Sequence, residues 1–271
     1  MIKKTALIMA LCQTISFCAA QLPAAAEENT QVGFYDDFEG TYDLNENGIV
    51  SVPGWTASEL VKESGAELKS VDGKAVSGDT LTIAEEENGN KYLKLHLSKD
   101  NKCDNFDTYY STTYLKRAIN LPYVSGKSMA VGYRLKYDGM NDKTLSANMA
   151  SYCGKVIATA GGSEVKAVYP ILYTNRVEMA WHSRLDGTTN VLTENVGSWH
   201  DIMEIFSSDG NTVKIYIDDS YFGTFNRRGG GELQSIDTID FEHYTGLAAD
   251  SDLDVCIDNV WADYITDGEL T

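Results

Sequence analysis

Apolar and polar residues alternate with a period of two in one short run after another along this chain. In Tyr92-Leu93-Lys94-Leu95-His96-Leu97 the three leucines fall on one side. In Met129-Ala130-Val131-Gly132-Tyr133-Arg134-Leu135-Lys136-Tyr137 the odd positions are apolar and the even ones small or basic. Thr212-Val213-Lys214-Ile215-Tyr216-Ile217-Asp218 repeats the scheme. Successive side chains of a β-strand point to opposite faces, so each run reads as a strand with one face buried. The same reading applies to 79–85, 108–119, 168–174, 176–182, 199–207, 220–226, 236–243 and 253–264. Turn-forming residues separate the runs: Asp72-Gly73, Asn88-Gly89-Asn90, Asp138-Gly139, Asp186-Gly187, Asp209-Gly210-Asn211 and Gly229-Gly230-Gly231. Only Ser58 to Lys69 carries a faint helical stripe. So many strands with one apolar face each can bury those faces only by packing sheet on sheet. The expectation is an all-β sandwich of two antiparallel sheets, formed as one domain over residues 27–271.

The N-terminus reads differently. Lys3 and Lys4 precede an apolar run, Thr5 to Leu11, and Pro23-Ala24-Ala25-Ala26 supplies the small residues of a cleavage site. This is the layout of a secretory signal peptide over residues 1–26, too short and wrongly flanked to span a membrane. The remainder is therefore expected to be secreted and extracellular. The whole chain holds 22 Lys and Arg against 40 Asp and Glu, a net charge of −18, and loss of Lys3 and Lys4 deepens it. Such a field repels nucleic acid, anionic membrane and polyanionic polysaccharide, leaving neutral glycans, proteins and cations as expected partners. Beyond residue 26 stand Cys103, Cys153 and Cys256. An odd number argues against a full disulfide framework, so at most one bridge is expected, and no Cys/His spacing here suits zinc.

Several segments follow one another in a recognisable order. Phe34-Tyr35-Asp36-Asp37-Phe38-Glu39-Gly40 is followed by Gly54-Trp55, and later by Trp199-His200-Asp201-Ile202. A hairpin then runs Lys214-Ile215-Tyr216-Ile217-Asp218 into Tyr221-Phe222-Gly223, and the closing strand is Cys256-Ile257-Asp258-Asn259-Val260-Trp261. Together these resemble the concanavalin A-like lectin and glucanase superfamily, including its laminin-G-like and bacterial polysaccharide-binding jelly-roll members. Carbohydrate-binding modules with similar first and last strands, built on the same sandwich with another strand topology, look similar too. The resemblance implies a concanavalin A-like jelly roll whose first and last strands lie side by side. It also implies a structural calcium tying those strands, with Asp37, Glu39 and Asp258 as carboxylate ligands and carbonyls near Gly40.

Such a fold offers a concave sheet as a groove for an extended glycan. Burying Val177, Met179 and Trp181 leaves Arg176, Glu178 and His182 on the open side, with Arg184 just beyond. Burying Ile239 and Phe241 likewise turns Asp240 and Glu242 outward, about 7 Å apart along the strand. Tyr109, Tyr110 and Tyr114 can stack an apolar face on a sugar ring while the hydroxyl stays wet. The expected ligand-binding set is Tyr109, Tyr110, Tyr114, Arg176, His182 and Arg184.

Thr238-Ile239-Asp240-Phe241-Glu242 echoes the E-x-D-x-E strand of concanavalin-like glucanases, in which two glutamates flank the glycosidic bond. Thr238 stands where the nucleophile belongs, and the segment lies too near the C-terminus. Polysaccharide lyases on this sandwich use a tyrosine with histidine, arginine and an amide, types that Tyr173, His182, Arg184 and Arg176 could supply. The weak catalytic candidates are therefore His182, Arg184, Tyr173, Glu178, Asp240 and Glu242. His96 and His243 stand alone, His200 follows Trp199 at a strand start, and all three read as surface or core histidines. The leading function is a non-catalytic, lectin-like protein that holds a neutral polysaccharide or glycan. The alternatives are a polysaccharide lyase or glycoside hydrolase, and an adhesion sandwich that recognises protein.

Overall fold

The computed structural model describes residues 33–45, 49–62, 69–72, 80–97, 110–138, 150–168, 170–173, 178–182, 189–193, 197–245 and 252–265. In chain order the strands begin with β1 (Phe34–Asp36), β2 (Asp43–Leu44), β3 (Val50–Ser51), β4 (Trp55–Lys62), β5 (Lys69–Asp72) and β6 (Thr80–Glu85). There follow β7 (Lys91–Leu97), β8 (Tyr110–Pro122), β9 (Ser128–Asp138), β10 (Ala150–Ala160), β11 (Ser163–Val168) and β12 (Pro170–Tyr173). The last are β13 (Glu178–His182), β14 (Thr189–Thr193), β15 (His200–Phe206), β16 (Thr212–Ile217), β17 (Ser220–Asn226), β18 (Leu233–Thr245) and β19 (Leu253–Ile265). Among the described residues there is no helix.

Two large antiparallel sheets hold every strand except the small β2–β3 pair. An eight-stranded sheet runs β17-β16-β15-β9-β19-β7-β6, with β1 beside β19. A nine-stranded sheet runs β14-β13-β12-β10-β18-β8-β4-β5, with β11 beside β10. The late strands β18 and β19 sit in the interior of their sheets, between strands formed much earlier in the chain. This is the two-sheet antiparallel sandwich that the alternation predicts, in the jelly-roll form that the resemblance implies.

The core lies between the sheets. Met129, Val131, Tyr133, Leu135 and Tyr137 of β9 are buried, with Leu93 and Leu95 of β7 and Val213 and Ile215 of β16. Against them stand Leu115 and Leu121 of β8, Ile239 and Phe241 of β18, and Val156 and Ala158 of β10, in one apolar cluster. Each large aliphatic side chain removed from water in this way contributes about 1.5–3 kcal/mol.

The first and last described strands do lie side by side, with Phe34 opposite Ala262 and Asp36 opposite Val260. A bulge between Asp258 and Trp261 lets β19 pair first with β7 and then with β1. Trp261 fits there because Gly132 on β9 has no side chain: a Cβ would stand 2.2 Å from the indole nitrogen.

Two segments differ from expectation. Ser58 to Lys62 continue β4 and Lys69 opens β5, so the faint helical stripe is overridden by pairing with β8, from Trp55 opposite Arg117 to Lys62 opposite Tyr110. β10 lacks the alternation altogether. Val156, Ile157 and Ala158 are all buried, so both faces of β10 are covered and period two disappears.

Candidate functional site

The centre of the nine-stranded sheet carries an ion pair on its outer face. Ile239 and Phe241 point into the core, which places Asp240 on the opposite side of β18. The cross-strand partners of Asp240 are Lys155 on β10 and Lys116 on β8. Lys155 Nζ lies 3.4 Å from Asp240 Oδ2 and Lys116 Nζ 3.9 Å from it. Thr238 Oγ1 donates to Asp240 Oδ1 at 2.8 Å. Asp240 is only 2% exposed, so the expected open groove acid is instead an enclosed floor group. Burial pushes its carboxyl up, and the Lys155 and Lys116 charges and the Thr238 hydrogen bond pull it back.

Register extends this floor into a row across the sheet. Ser58 on β4 faces Tyr114 on β8, Tyr114 faces Glu242 on β18, and Glu242 faces Tyr152 on β10. The row continues through Ile171 on β12, Ala180 on β13 and Val191 on β14. With a two-residue period, positions 110, 114, 173, 178, 182, 240 and 242 all fall on this one side of the sheet. Of these, Asp240 has a described side chain; the others are placed by backbone register. Tyr109, Arg176 and Arg184 lie outside the described residues.

Lys116, Lys155 and Tyr152 were not among the sequence-based candidates. A lone lysine directly after a glycine in the otherwise uncharged Cys153–Ala160 stretch was the available signal for Lys155. Its partner becomes visible only when β10 and β18 are paired.

Beneath this floor, inside the sandwich, stands a second polar pair. The Tyr133 hydroxyl donates to Glu204 Oε1 at 3.3 Å, and Glu204 is fully buried. Burial pushes the Glu204 carboxyl well up, against the smaller opposing pull of the Tyr133 hydrogen bond.

The residues expected to hold calcium each accept hydrogen bonds. Glu39 Oε1 accepts the Lys91 backbone N–H at 2.9 Å, and Asp37 Oδ1 accepts the Glu39 N–H at 3.2 Å. Asp258, buried at the β19 bulge, accepts from Asn90 Nδ2 at 3.1 Å and from the Asn259 backbone at 2.7 Å. Burial pushes its carboxyl up to about 6, with nearby Asp37 adding to the shift and Arg134 opposing it. Among the described residues no group of three or more His, Cys, Asp and Glu is placed to hold a metal ion.

Two of the histidines outside the candidate set have acidic partners: His96 Nδ1 is 2.6 Å from Asp254 and His200 Nδ1 is 2.7 Å from Asp218. Cys256 is a free, buried thiol on the eight-stranded sheet; the side chains of Cys103 and Cys153 lie outside those described.

No protein-family model and no curated protein matches this sequence. Solved structures do match in shape. An alginate lyase from Corynebacterium sp. superposes with a TM-score of 0.50 at 9% identity, covering 78% of this chain and 94% of its own. The alginate lyase AlgAT5 of polysaccharide lyase family 7 gives 0.48 at 11% identity, covering 82% and 99%. An endo-β-1,4-glucuronan lyase from the fungus Trichoderma reesei gives 0.43 at 13% identity, covering 74% and 93%. Strand order and shape together identify the fold as a concanavalin A-like jelly-roll sandwich.

Proposed function

We propose that this protein is secreted and binds an extended neutral polysaccharide across the outer face of the nine-stranded sheet. The observation that carries this reading is the register row from Ser58 through Tyr114, Glu242, Tyr152, Ile171 and Ala180 to Val191. Six inter-strand steps of about 4.8 Å give a track roughly 29 Å long, enough for several sugar rings. Tyrosines flanking an acid suit a glycan, because rings stack on apolar sugar faces while carboxylates and amines take the hydroxyls. The net charge of −18 favours a neutral chain over a polyanionic one. The leader-like residues 1–26 support export.

A second reading is a polysaccharide lyase acting on the same face. It is favoured by the architecture shared with the Corynebacterium alginate lyase and by the presence of positions 173 and 182 on this side.

The test is retention of the purified protein on immobilised neutral glucans, mannans and xylans, with uronic-acid polymers alongside, while the same mixtures are assayed for unsaturated products. Retention without product is expected, weakened about tenfold by Tyr114→Ala or Tyr152→Ala. Unsaturated product would replace the binding reading with the lyase, and absence of both would overturn the two together.

A further inference from the structure

This inference rests on the glycan-binding reading of the nine-stranded sheet and concerns the residues beneath its outer face. Glu204 stands on the core side of β15 between Ile202 and Phe206, both of which belong to the apolar cluster. Its Oε1 accepts the Tyr133 hydroxyl, and its Oε2 is buried with no hydrogen-bond partner among the described residues. A half-satisfied carboxyl in an apolar interior weakens the fold relative to a leucine of similar volume. Its presence therefore calls for a role other than stability.

Tyr133 links this group to the opposite sheet. Its ring stands edge-on to Phe241, with centroids 5.6 Å apart and planes at 89°. Its hydroxyl end fills the space that a Cβ at Gly154 would need, only 2.1 Å from that position. Gly154 has φ +82°, a left-handed conformation that glycine adopts without strain, and β10 bulges there. Because of the bulge, the register jumps from Cys153 opposite Phe241 to Lys155 opposite Asp240. Gly154 is the chain neighbour of Lys155, and Phe241 is the chain neighbour of Asp240. One buried ring thus meets the backbone supports of both members of the floor ion pair.

We propose that Tyr133 and Glu204 are positioning residues for the glycan face: Glu204 fixes the Tyr133 hydroxyl, Tyr133 fills the Gly154 bulge, and the bulge keeps Lys155 on Asp240. The unmatched carboxyl is retained because its hydrogen bond helps to hold the hydroxyl end of the ring, and with it the register.

The experiment compares full-length wild type, Glu204→Leu, Glu204→Gln and Tyr133→Phe. It reads retention on neutral glucans, mannans and xylans, amide hydrogen exchange at 153–156 and 239–241, and Tm. Glu204→Leu is expected to melt no lower than wild type, yet to bind about tenfold more weakly and to exchange about tenfold faster at those amides. Tyr133→Phe, which loses the same hydrogen bond, follows it in both. Glu204→Gln, which keeps an acceptor for the Tyr133 hydroxyl, restores both. A lower Tm for Glu204→Leu with faster exchange throughout both sheets and unchanged retention would overturn the proposal and assign the pair to stability alone. Wild-type retention and exchange in Glu204→Leu and Tyr133→Phe would overturn it as well. If the wild type is retained by no glycan, the binding reading fails by itself, and exchange at 153–156 still decides whether the pair holds the bulge.

Discussion

Lys155 Nζ lies 3.4 Å from Asp240 Oδ2, and the two side chains are 6% and 3% exposed. A pair so enclosed gains little over apolar residues, but removing one partner strands the other charge away from water. Lys155→Ala is expected to lower unfolding free energy by about 3 kcal/mol, with Lys116 at 3.9 Å compensating only in part. Replacing both members together, as Lys155→Met with Asp240→Leu, should cost clearly less than the single change. Urea unfolding of the three proteins checks the order.

Asp258 sets a pH dependence. Its carboxyl, buried at the β19 bulge, is pushed up from 3.8 to about 6. The folded protein therefore holds this proton more tightly than the unfolded chain does. The group's contribution to stability is greatest below about pH 4 and is lost as pH rises to about 6, in total about 3 kcal/mol. Asp258→Asn cannot titrate, so wild-type stability relative to this variant should fall across that window and level off above it. Chemical denaturation of both proteins at a series of pH values measures the difference, and a flat difference would contradict the shift.

Gly132 is required by Trp261. The Cβ of an alanine at 132 would stand 2.2 Å from the indole nitrogen, so β9 and β19 could not keep their spacing. Gly132→Ala is expected to cost about 2 kcal/mol, the usual scale of overpacking. In a Trp261→Ala background most of that loss should disappear, which a double-mutant cycle by thermal unfolding would detect.

Cys256 should be chemically silent in the folded state. It is fully buried, and burial, reinforced by Asp138, pushes its thiol up to about 12. Thiolate is the reactive form, so alkylation is suppressed by both access and charge. Peptide mapping after iodoacetamide treatment should find Cys256 unmodified in native protein and modified once urea is added.

The strands that announced themselves in the sequence are those with one wet face. β16 and the second half of β9, from Tyr133 on, alternate because only one side of each is packed, and β7 does so through Leu93 and Leu95. β10 was invisible for the opposite reason: Val156, Ile157 and Ala158 are all covered, so no period remains to read. β4 was misleading, since Ser58 to Lys62 have residues that a helix tolerates and only the partner strand β8 makes them extended. Asp240 could be placed on the outer side from Ile239 and Phe241 alone, but its enclosure could not. Lys155 and Lys116 come from strands far away in sequence, and the bulge at Gly154 decides which β10 residue meets Asp240. A bulge shifts register by one, and nothing local to Gly154 announces it except the glycine itself.

The interior placement of β18 and β19 has a consequence for how the chain reaches this state. β18 bridges β10 and β8, and β19 bridges β9, β7 and β1, so without these strands the nine-stranded sheet falls into two pieces and the eight-stranded sheet into three. In their absence the earlier strands expose open edges and unmatched apolar faces. Most contacts in the folded molecule link residues far apart in sequence, the condition for slow folding.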